Sequence, residues 1–212
     1  IGGGCGLVTA VHAVERARVQ LADTVLVQGV GAVGLSCIAL AKLSGAARVI
    51  AIGAPANRLA LAARMGADLV LPLEATTVEE RRERVLDATG RRGVDVAIEA
   101  AGSPRAIEEV FGLVRDGGAY VVAGHYTDVG PSRISGHHDI NRKHLEIRGC
   151  WGSQAGHFVR ALRILEHHAA RIPWDAIGEQ TFALDDMTAA LEAAEAMRFT
   201  KGLVAPHGLS AR

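Results

Sequence analysis

Short apolar runs rich in Val, Ile and Leu alternate along this chain with longer stretches in which Ala and Leu recur at helical spacing. Runs of the first kind predict strands, and stretches of the second kind predict helices. The predicted strands lie near residues 24–28, 48–52, 68–71, 94–98, 118–123 and 145–150. An early helix is predicted from Val8 to Val19, and further helices near residues 32–44, 56–65, 77–89, 104–114 and 137–143.

This alternation of strands and helices decides the fold class. Strands that are separated by helices favour right-handed crossovers and a parallel sheet covered on both faces. We therefore predict an α/β protein with a doubly wound, six-stranded parallel sheet of the Rossmann type. After Gly152 the pattern changes to a helix, a strand, a helix and a strand, near residues 156–168, 180–184, 186–197 and 202–205. These elements predict a small C-terminal α/β appendage.

A run of mixed charges from Glu79 to Arg84 lies inside the helix predicted at residues 77–89. Charges of both signs at helical spacing are typical of a solvated helix face with pairs four residues apart. We therefore assign no chemistry to this run.

The junction between the first predicted strand and the next helix carries the pattern G-x-G-x-x-G, formed by Gly29, Gly31 and Gly34 around Ala32 and Val33. The first glycine permits a tight turn, the second lets a pyrophosphate approach the backbone, and the third lets the helix pack on the strand. The helix then begins at the phosphates, with its N–H groups facing them. This context predicts a dinucleotide-binding site.

The second predicted strand ends at Gly53, where an Asp or Glu that binds the ribose 2′-hydroxyl of NAD is expected. A glycine there also removes the repulsion that a carboxylate exerts on the 2′-phosphate of NADP. Arg58 follows five residues later and is a candidate phosphate contact. Both NAD and NADP therefore stay open as the cofactor.

Composition narrows the function classes further. The 212 residues are 49% hydrophobic and 22% charged, with 23 basic and 23 acidic side chains. A balanced charge gives no positive field, so we expect neither a nucleic-acid partner nor a membrane partner. Three scattered cysteines without a C-x-x-C pair, and no signal or membrane-spanning run, indicate a cytoplasmic protein. The chain opens on Ile1 rather than Met, so we expect a fragment.

A series of motifs resembles the C-terminal half of the medium-chain dehydrogenase/reductase family, in its zinc-dependent alcohol and threonine dehydrogenase branch. The matching segments are residues 4–10, 29–34, 58–62, 65–68, 93–102, 117–124, 147–152 and 200–204. The resemblance implies hydride transfer between a small alcohol or carbonyl substrate and NAD or NADP in a full-length form. It also implies three parts. Residues 1–21 are the remnant of a junction with an N-terminal catalytic domain, residues 22–152 are the dinucleotide-binding domain, and residues 153–212 are a C-terminal segment that in the family packs back towards the catalytic domain.

The same resemblance assigns further cofactor contacts. It places the cofactor riboses beside Ala100 and Ala101, and the nicotinamide beside the remaining strand ends. The contacts implied there are Ala123, Gly124, His125, Cys150 and Gly152, with Lys201 at the pyrophosphate.

The metal and the partners also follow from the resemblance. Cys5 matches the third cysteine ligand of a catalytic zinc, whereas the first two ligands, a Cys and a His, belong to a domain that precedes this region in the family. Zinc is therefore expected only in a full-length form. A homodimer is expected through the strand at residues 145–150, unless residues 137–143 or the appendage cover that edge. The alternatives are a zinc-free quinone or enone reductase and a non-catalytic NAD(P)-binding module.

Overall fold

Six parallel strands form the central sheet of the computed structural model, which describes residues 5–178 and 180–206. Their order across the sheet is β3-β2-β1-β4-β5-β6. The strands are β1 (Thr24–Gln28), β2 (Arg48–Gly53), β3 (Leu69–Pro72), β4 (Val94–Glu99), β5 (Val114–Val122) and β6 (Glu146–Gly149). The order reverses at β1, so the carboxyl ends of β1 and β4 flank the crevice in which such sheets bind ligands. The predicted doubly wound fold is confirmed.

Helices cover both faces of the sheet, and four of them lie in the crossovers that join β1 to β5. They are α1 (Cys5–Ala17), α2 (Ala32–Leu43), α3 (Ala56–Arg64), α4 (Val78–Ala88) and α5 (Pro104–Val110). One face buries Val25 and Val27 of β1 against α1, α2 and α3. The other face buries Leu26 against α4 and α5. Burial on both faces explains why β1 reads as a continuous apolar run rather than an alternating one.

The C-terminal segment contains α6 (Ala155–His168), β7 (Gln180–Ala183), α7 (Met187–Glu195) and β8 (Gly202–Ala205), with 3₁₀ turns at Trp174–Gly178 and Leu184–Asp186. Strands β7 and β8 pair in parallel as a separate two-stranded sheet. Ala161 of α6 and Trp174 join α1 and α2 in one hydrophobic core. The proposed division at residues 22 and 152 stays a prediction, and residues 1–4 and 207–212 lie outside the described residues.

Several predicted elements differ locally from the structure. The early helix α1 begins at Cys5 rather than Val8, and α5 ends at Val110 rather than at residue 114. The segment predicted as a helix at residues 137–143 is a π-helix over Gly136–Asn141. Ser135 holds it by accepting a hydrogen bond from the N–H of His138, and the Ser135 N–H donates to Asp139. The strand predicted from residue 118 begins at Val114, with a register shift against β4 between Val94 and Val96.

The interpretation of the run Glu79–Arg84 as a solvated face is wrong at Arg81. The Arg81 side chain is 4% exposed, and its Nε lies 2.6 Å from Oε1 of Glu109 in α5. Arg81 also donates to the carbonyl of Thr76 over 2.5 Å. A buried guanidinium requires such partners, because an unpaired buried charge costs several kcal/mol.

No helix within residues 5–178 and 180–206 is long and apolar enough to cross a membrane.

Candidate functional site

A cleft of about 740 Å³ opens at the carboxyl ends of β1, β2 and β4. Six of the residues predicted from the sequence to bind the cofactor line it together, namely Gly29, Gly31, Gly53, Arg58, Ala100 and Ala101. The cleft therefore extends across the point at which the strand order reverses. Helix α2 begins directly behind it, with Gly31 in an extended conformation before the first helical residue, Ala32.

The three fingerprint glycines are required for different reasons. Gly29 has φ +99°, and an added Cβ there would lie 2.6 Å from the carbonyl carbon of Ala100. An added Cβ at Gly34 would overlap the carbonyl oxygen of Gly29. The chain itself thus excludes side chains at Gly29 and Gly34. At Gly31, by contrast, an added Cβ would meet nothing within 4 Å, so the fold does not require a glycine there.

The first turn of α2 carries the predicted contacts Ala32, Val33 and Gly34, which lie just beyond the residues that line the cleft. Leu35 donates to the carbonyl of Gly31 over 2.9 Å, which closes the first turn of the helix. The N–H groups of Ala32, Val33 and Gly34 precede this bond and have no intrahelical acceptor. Together with the helix dipole they favour an anion at this end.

Gly53 and Arg58 lie on the β2 side of the cleft. Gly53 is the last residue of β2, and Arg58 is in the first turn of α3. The Arg58 Nη2 donates to the carbonyl of Phe199 over 2.6 Å. Burial lowers the pKa of Arg58, but an arginine side chain stays charged at neutral pH. A cation is thus available beside Gly53 for an anionic ligand.

The other strand ends carry the residues expected at the nicotinamide. Ala123 and Gly124 follow β5, and Cys150 and Gly152 follow β6. The Cys150 N–H donates to the carbonyl of Val122 over 2.9 Å, which joins these two strand ends. Burial raises the pKa of the Cys150 thiol. These four residues are outside the lining of the large cleft, as is His125, whose Nε2 is buried without a partner among the described residues.

Glu99, the last residue of β4, is a site residue that the sequence analysis missed. Its side chain is fully buried. The carboxylate accepts from the N–H of Ala101 over 2.7 Å and from the N–H of Gly124 over 3.0 Å, and it also accepts from Gly102. One side chain therefore shapes the turn after β4 and the loop after β5. An acid directly after the buried apolar residues 96–98 of β4 was the available signal.

Helix α1 supports the end of β6. His12 Nδ1 donates to the carbonyl of Gly152 over 2.8 Å, and Arg16 Nε donates to the carbonyl of Gly149 over 3.1 Å. The sequence analysis left His12 unassigned. The structure gives it a positioning contact with the backbone beside the expected nicotinamide site.

Two further residues expected from the resemblance, Lys201 and Cys5, also lie apart from the cleft lining. Lys201 immediately precedes β8 and makes no ion pair with a residue that the structure describes. Cys5 is exposed at the first residue of α1, next to Gly6, which packs against Ala32. Residues 5–178 and 180–206 contain no group of three His, Cys, Asp or Glu side chains that could hold a metal ion. Cys5 thus offers a single thiol.

Two curated relatives of this chain are dehydrogenases. A 5-exo-hydroxycamphor dehydrogenase of Pseudomonas putida is 34% identical over 202 residues, which are 95% of this chain and 56% of that protein. An erythritol/L-threitol dehydrogenase of Mycolicibacterium smegmatis is 34% identical over 193 residues, which are 86% and 48% of the two chains. The chain thus spans about half the length of the curated relatives that it matches.

The similarity extends to solved structures and to a family model. An alcohol dehydrogenase from Thermotoga maritima superposes with a TM-score of 0.88 at 34% sequence identity, over 94% of this chain and 55% of that one. Residues 32–167 match the family model described as zinc-binding dehydrogenase. These findings confirm the resemblance predicted from the motifs, and the chain belongs to the zinc-binding dehydrogenase family.

Proposed function

We propose that this chain is the nicotinamide-dinucleotide-binding part of an alcohol or polyol dehydrogenase. The observation that carries the proposal is the contrast among the three glycines. The fold requires Gly29 and Gly34, whereas Gly31 leaves open space in front of the first turn of α2. A glycine that the chain itself does not need, at a helix N-terminus inside a cleft, is explained by the close approach of a pyrophosphate.

The cofactor supplies the chemistry when it is bound, since the nicotinamide ring accepts or donates the hydride. The residues of this chain would bind and orient it. The turn from Gly29 to Gly34 would hold the pyrophosphate. The nicotinamide half would be positioned by backbone groups at the strand ends, namely those of Ala100, Ala101, Ala123, Cys150 and Gly152. Glu99 would hold two of these segments in place, because its carboxylate accepts hydrogen bonds from the N–H groups of Ala101 and Gly124. Fixed orientation of the reacting carbon is a large part of catalysis in hydride transfer.

We propose that the β2 side of the cleft accepts the adenosine ribose of both NAD and NADP. Gly53 offers no carboxylate to the ribose hydroxyls, and the Arg58 guanidinium lies in the same cleft. We propose that Arg58 contacts the adenosine ribose of NAD or the 2′-phosphate of NADP. The bond from Arg58 to Phe199 would hold the guanidinium in place for this role.

Zinc does not fit this chain by itself, because Cys5 is one thiol and a catalytic zinc site needs three protein ligands. We propose Cys5 only as one ligand of a site whose other ligands, a Cys and a His, belong to the domain that precedes this region in the family. No step of the proposed mechanism passes through the metal. The names of the relatives support an alcohol or polyol as the substrate of the complete protein.

Two further parts of the proposal concern location and assembly. All three cysteines are unpaired, which supports a reducing compartment such as the cytoplasm. Strand β6 ends the sheet and pairs only with β5 among the described residues. We propose that a second copy of this strand covers it in a homodimer.

Calorimetric titration of the purified 212-residue protein with NADH and NADPH tests the proposal, together with an assay of alcohol oxidation. We expect binding without turnover. Failure to bind either dinucleotide would overturn the proposed function, and clear turnover would show that this chain holds catalytic ligands that we did not assign.

The sequence that the gene encodes upstream of Ile1 separates the remaining alternatives. Encoded Cys and His ligands favour a zinc dehydrogenase, whereas their absence favours a zinc-free reductase or a binding module.

A further inference from the structure

Gln28 is a buried amide at the floor of the cofactor cleft. It is the last residue of β1, it is among the residues that line the cleft, and it is 2% exposed. Neither its amide oxygen nor its amide nitrogen has a hydrogen-bond partner among the described residues. Most buried polar side chains are paired, since an unsatisfied amide in the protein interior destabilises the fold. A residue with both amide atoms unsatisfied at the floor of a cleft is therefore a candidate to bond a ligand there.

The neighbouring polar side chains are already committed. Glu99, which lies opposite Gln28 in the register of β1 and β4, uses its carboxylate on backbone N–H groups. Arg81, which lines the same cleft, is paired with Glu109 and with the carbonyl of Thr76. Among the buried side-chain groups of the cleft lining, both amide atoms of Gln28 and the Nε of Arg58 thus lack a partner, as far as the structure describes them. The Gln28 amide offers a donor together with an acceptor.

The position of Gln28 indicates which part of a ligand it would meet. This step rests on the proposed function. With the pyrophosphate at Gly31 and the adenosine ribose at Gly53, the base extends into the remaining part of the cleft, towards Leu73 and Ala106. Gln28 lies at the end of β1, between the ends of β2 and β4, and so beneath this space.

We propose that the side-chain amide of Gln28 recognises the adenine base of the cofactor. A primary amide offers one acceptor and a donor side by side, and adenine offers its exocyclic amino group beside a ring nitrogen acceptor. Oε1 of Gln28 accepts from the amino group, and Nε2 donates to the adjacent ring nitrogen. Gln28 is then a specificity-determining residue for adenine over purines that lack the amino group.

A pair of ligands tests this assignment by calorimetry on the 212-residue protein. One is NADH, and the other is its analogue in which hydrogen replaces the purine amino group. The unchanged protein is expected to bind NADH about tenfold more tightly than the analogue. Gln28→Met, which has a similar volume without the amide, is expected to bind the two ligands equally, within about twofold. Gln28→Leu is a second variant for the same comparison, and thermal unfolding checks that each variant is folded.

Ser103→Ala is the matched control, because Ser103 lines the same cleft and its side chain caps no helix N–H. This variant should keep the tenfold preference. Equal binding of the two ligands by the unchanged protein would overturn the role of Gln28 while leaving the proposed function intact. A preference that survives in Gln28→Met would do the same. Absence of binding to either ligand would instead overturn the proposed function, and this inference with it.

Discussion

The side chain of Val30 occupies the space that a side chain at Gly53 would need. An added Cβ at Gly53 would lie 2.5 Å from Cγ2 and 2.9 Å from Cγ1 of Val30. Valine is stiff about its first side-chain torsion, so it cannot yield easily. The glycine at the end of β2 therefore has a packing reason as well as the cofactor reason inferred from the sequence. A substitution at Gly53 alone would mix the two effects.

Gly53→Asp should shift the cofactor preference towards NAD when it is made together with Val30→Ala, which provides the space. The new carboxylate would accept the ribose hydroxyls and repel a 2′-phosphate. We expect the ratio of the dissociation constants of NADPH and NADH to rise at least about tenfold. Calorimetry measures both constants, with Val30→Ala/Gly53→Ala as the control. An unchanged ratio would show that Gly53 is not at the ribose.

Gly31→Val should abolish dinucleotide binding while the protein stays folded. The valine side chain would enter open space in the cleft, where the pyrophosphate is proposed to lie. We expect binding of NADH to weaken by at least about a hundredfold, with little change in the thermal midpoint. Gly34→Ala is the contrasting variant, since its Cβ would overlap the Gly29 carbonyl, and it should lower the free energy of unfolding by about 3 kcal/mol. Tight binding by a folded Gly31→Val protein would contradict the proposed pyrophosphate site.

Ile147→Pro should dissociate the proposed homodimer without unfolding the sheet. Cys150 donates to Val122 of β5, so the alternation along β6 directs the N–H of Ile147 away from β5. Proline is tolerated in an edge strand at such a position, but it cannot pair with a second copy. Light scattering over a dilution series should give a dimer for the unchanged protein and a monomer for the variant. A dimer that persists in the variant would place the interface elsewhere.

His157 should make the folded state less stable in mild acid. Burial, and then the neighbouring His12, lower the pKa of His157 below the ordinary value of 6.5. The unfolded chain therefore binds more protons as the pH falls through 6.5, and the free energy of unfolding decreases until the pH lies below the lowered pKa. Urea denaturation at several pH values around 6 should show a weaker pH dependence in His157→Gln.

The exposed His167 on the same helix, α6, provides the control for this measurement. His167→Gln should keep the pH dependence of the unchanged protein. His157 also contacts Glu15, with 3.2 Å between Nε2 and Oε2. If acidification stabilised the unchanged protein, the ion pair with Glu15 would outweigh burial, and our assignment would be wrong.

The strands and the glycine-rich turn could be predicted because each depends on residues close together in the chain. A parallel strand buried on both faces is apolar along most of its length, and the first strand showed this at residues 25–27. The burial of Arg81 could not be predicted in the same way. Its partner Glu109 is 28 residues away, and only the packing of α4 against α5 brings the two together.

The π-helix and Gln28 escaped prediction for a similar reason. The turn at Gly136–Asn141 depends on reciprocal bonds between Ser135 and Asp139, which no periodic pattern contains. Gln28 is the last residue of an apolar run, and in the sequence it is indistinguishable from a polar residue that marks the end of a strand. Only its burial, and the absence of a partner in the described part of the chain, reveal that it differs.

The carboxylate of Glu99 has a consequence for how this cleft can be redesigned. It accepts hydrogen bonds from the backbone N–H groups of Ala101 and Gly124. The turn after β4, which forms this rim of the cleft, is therefore held by bonds that do not involve the side chain of Ala101. New side chains at such a position would project from an unchanged scaffold, so a designer can vary the rim chemistry as long as the acid beneath it is kept.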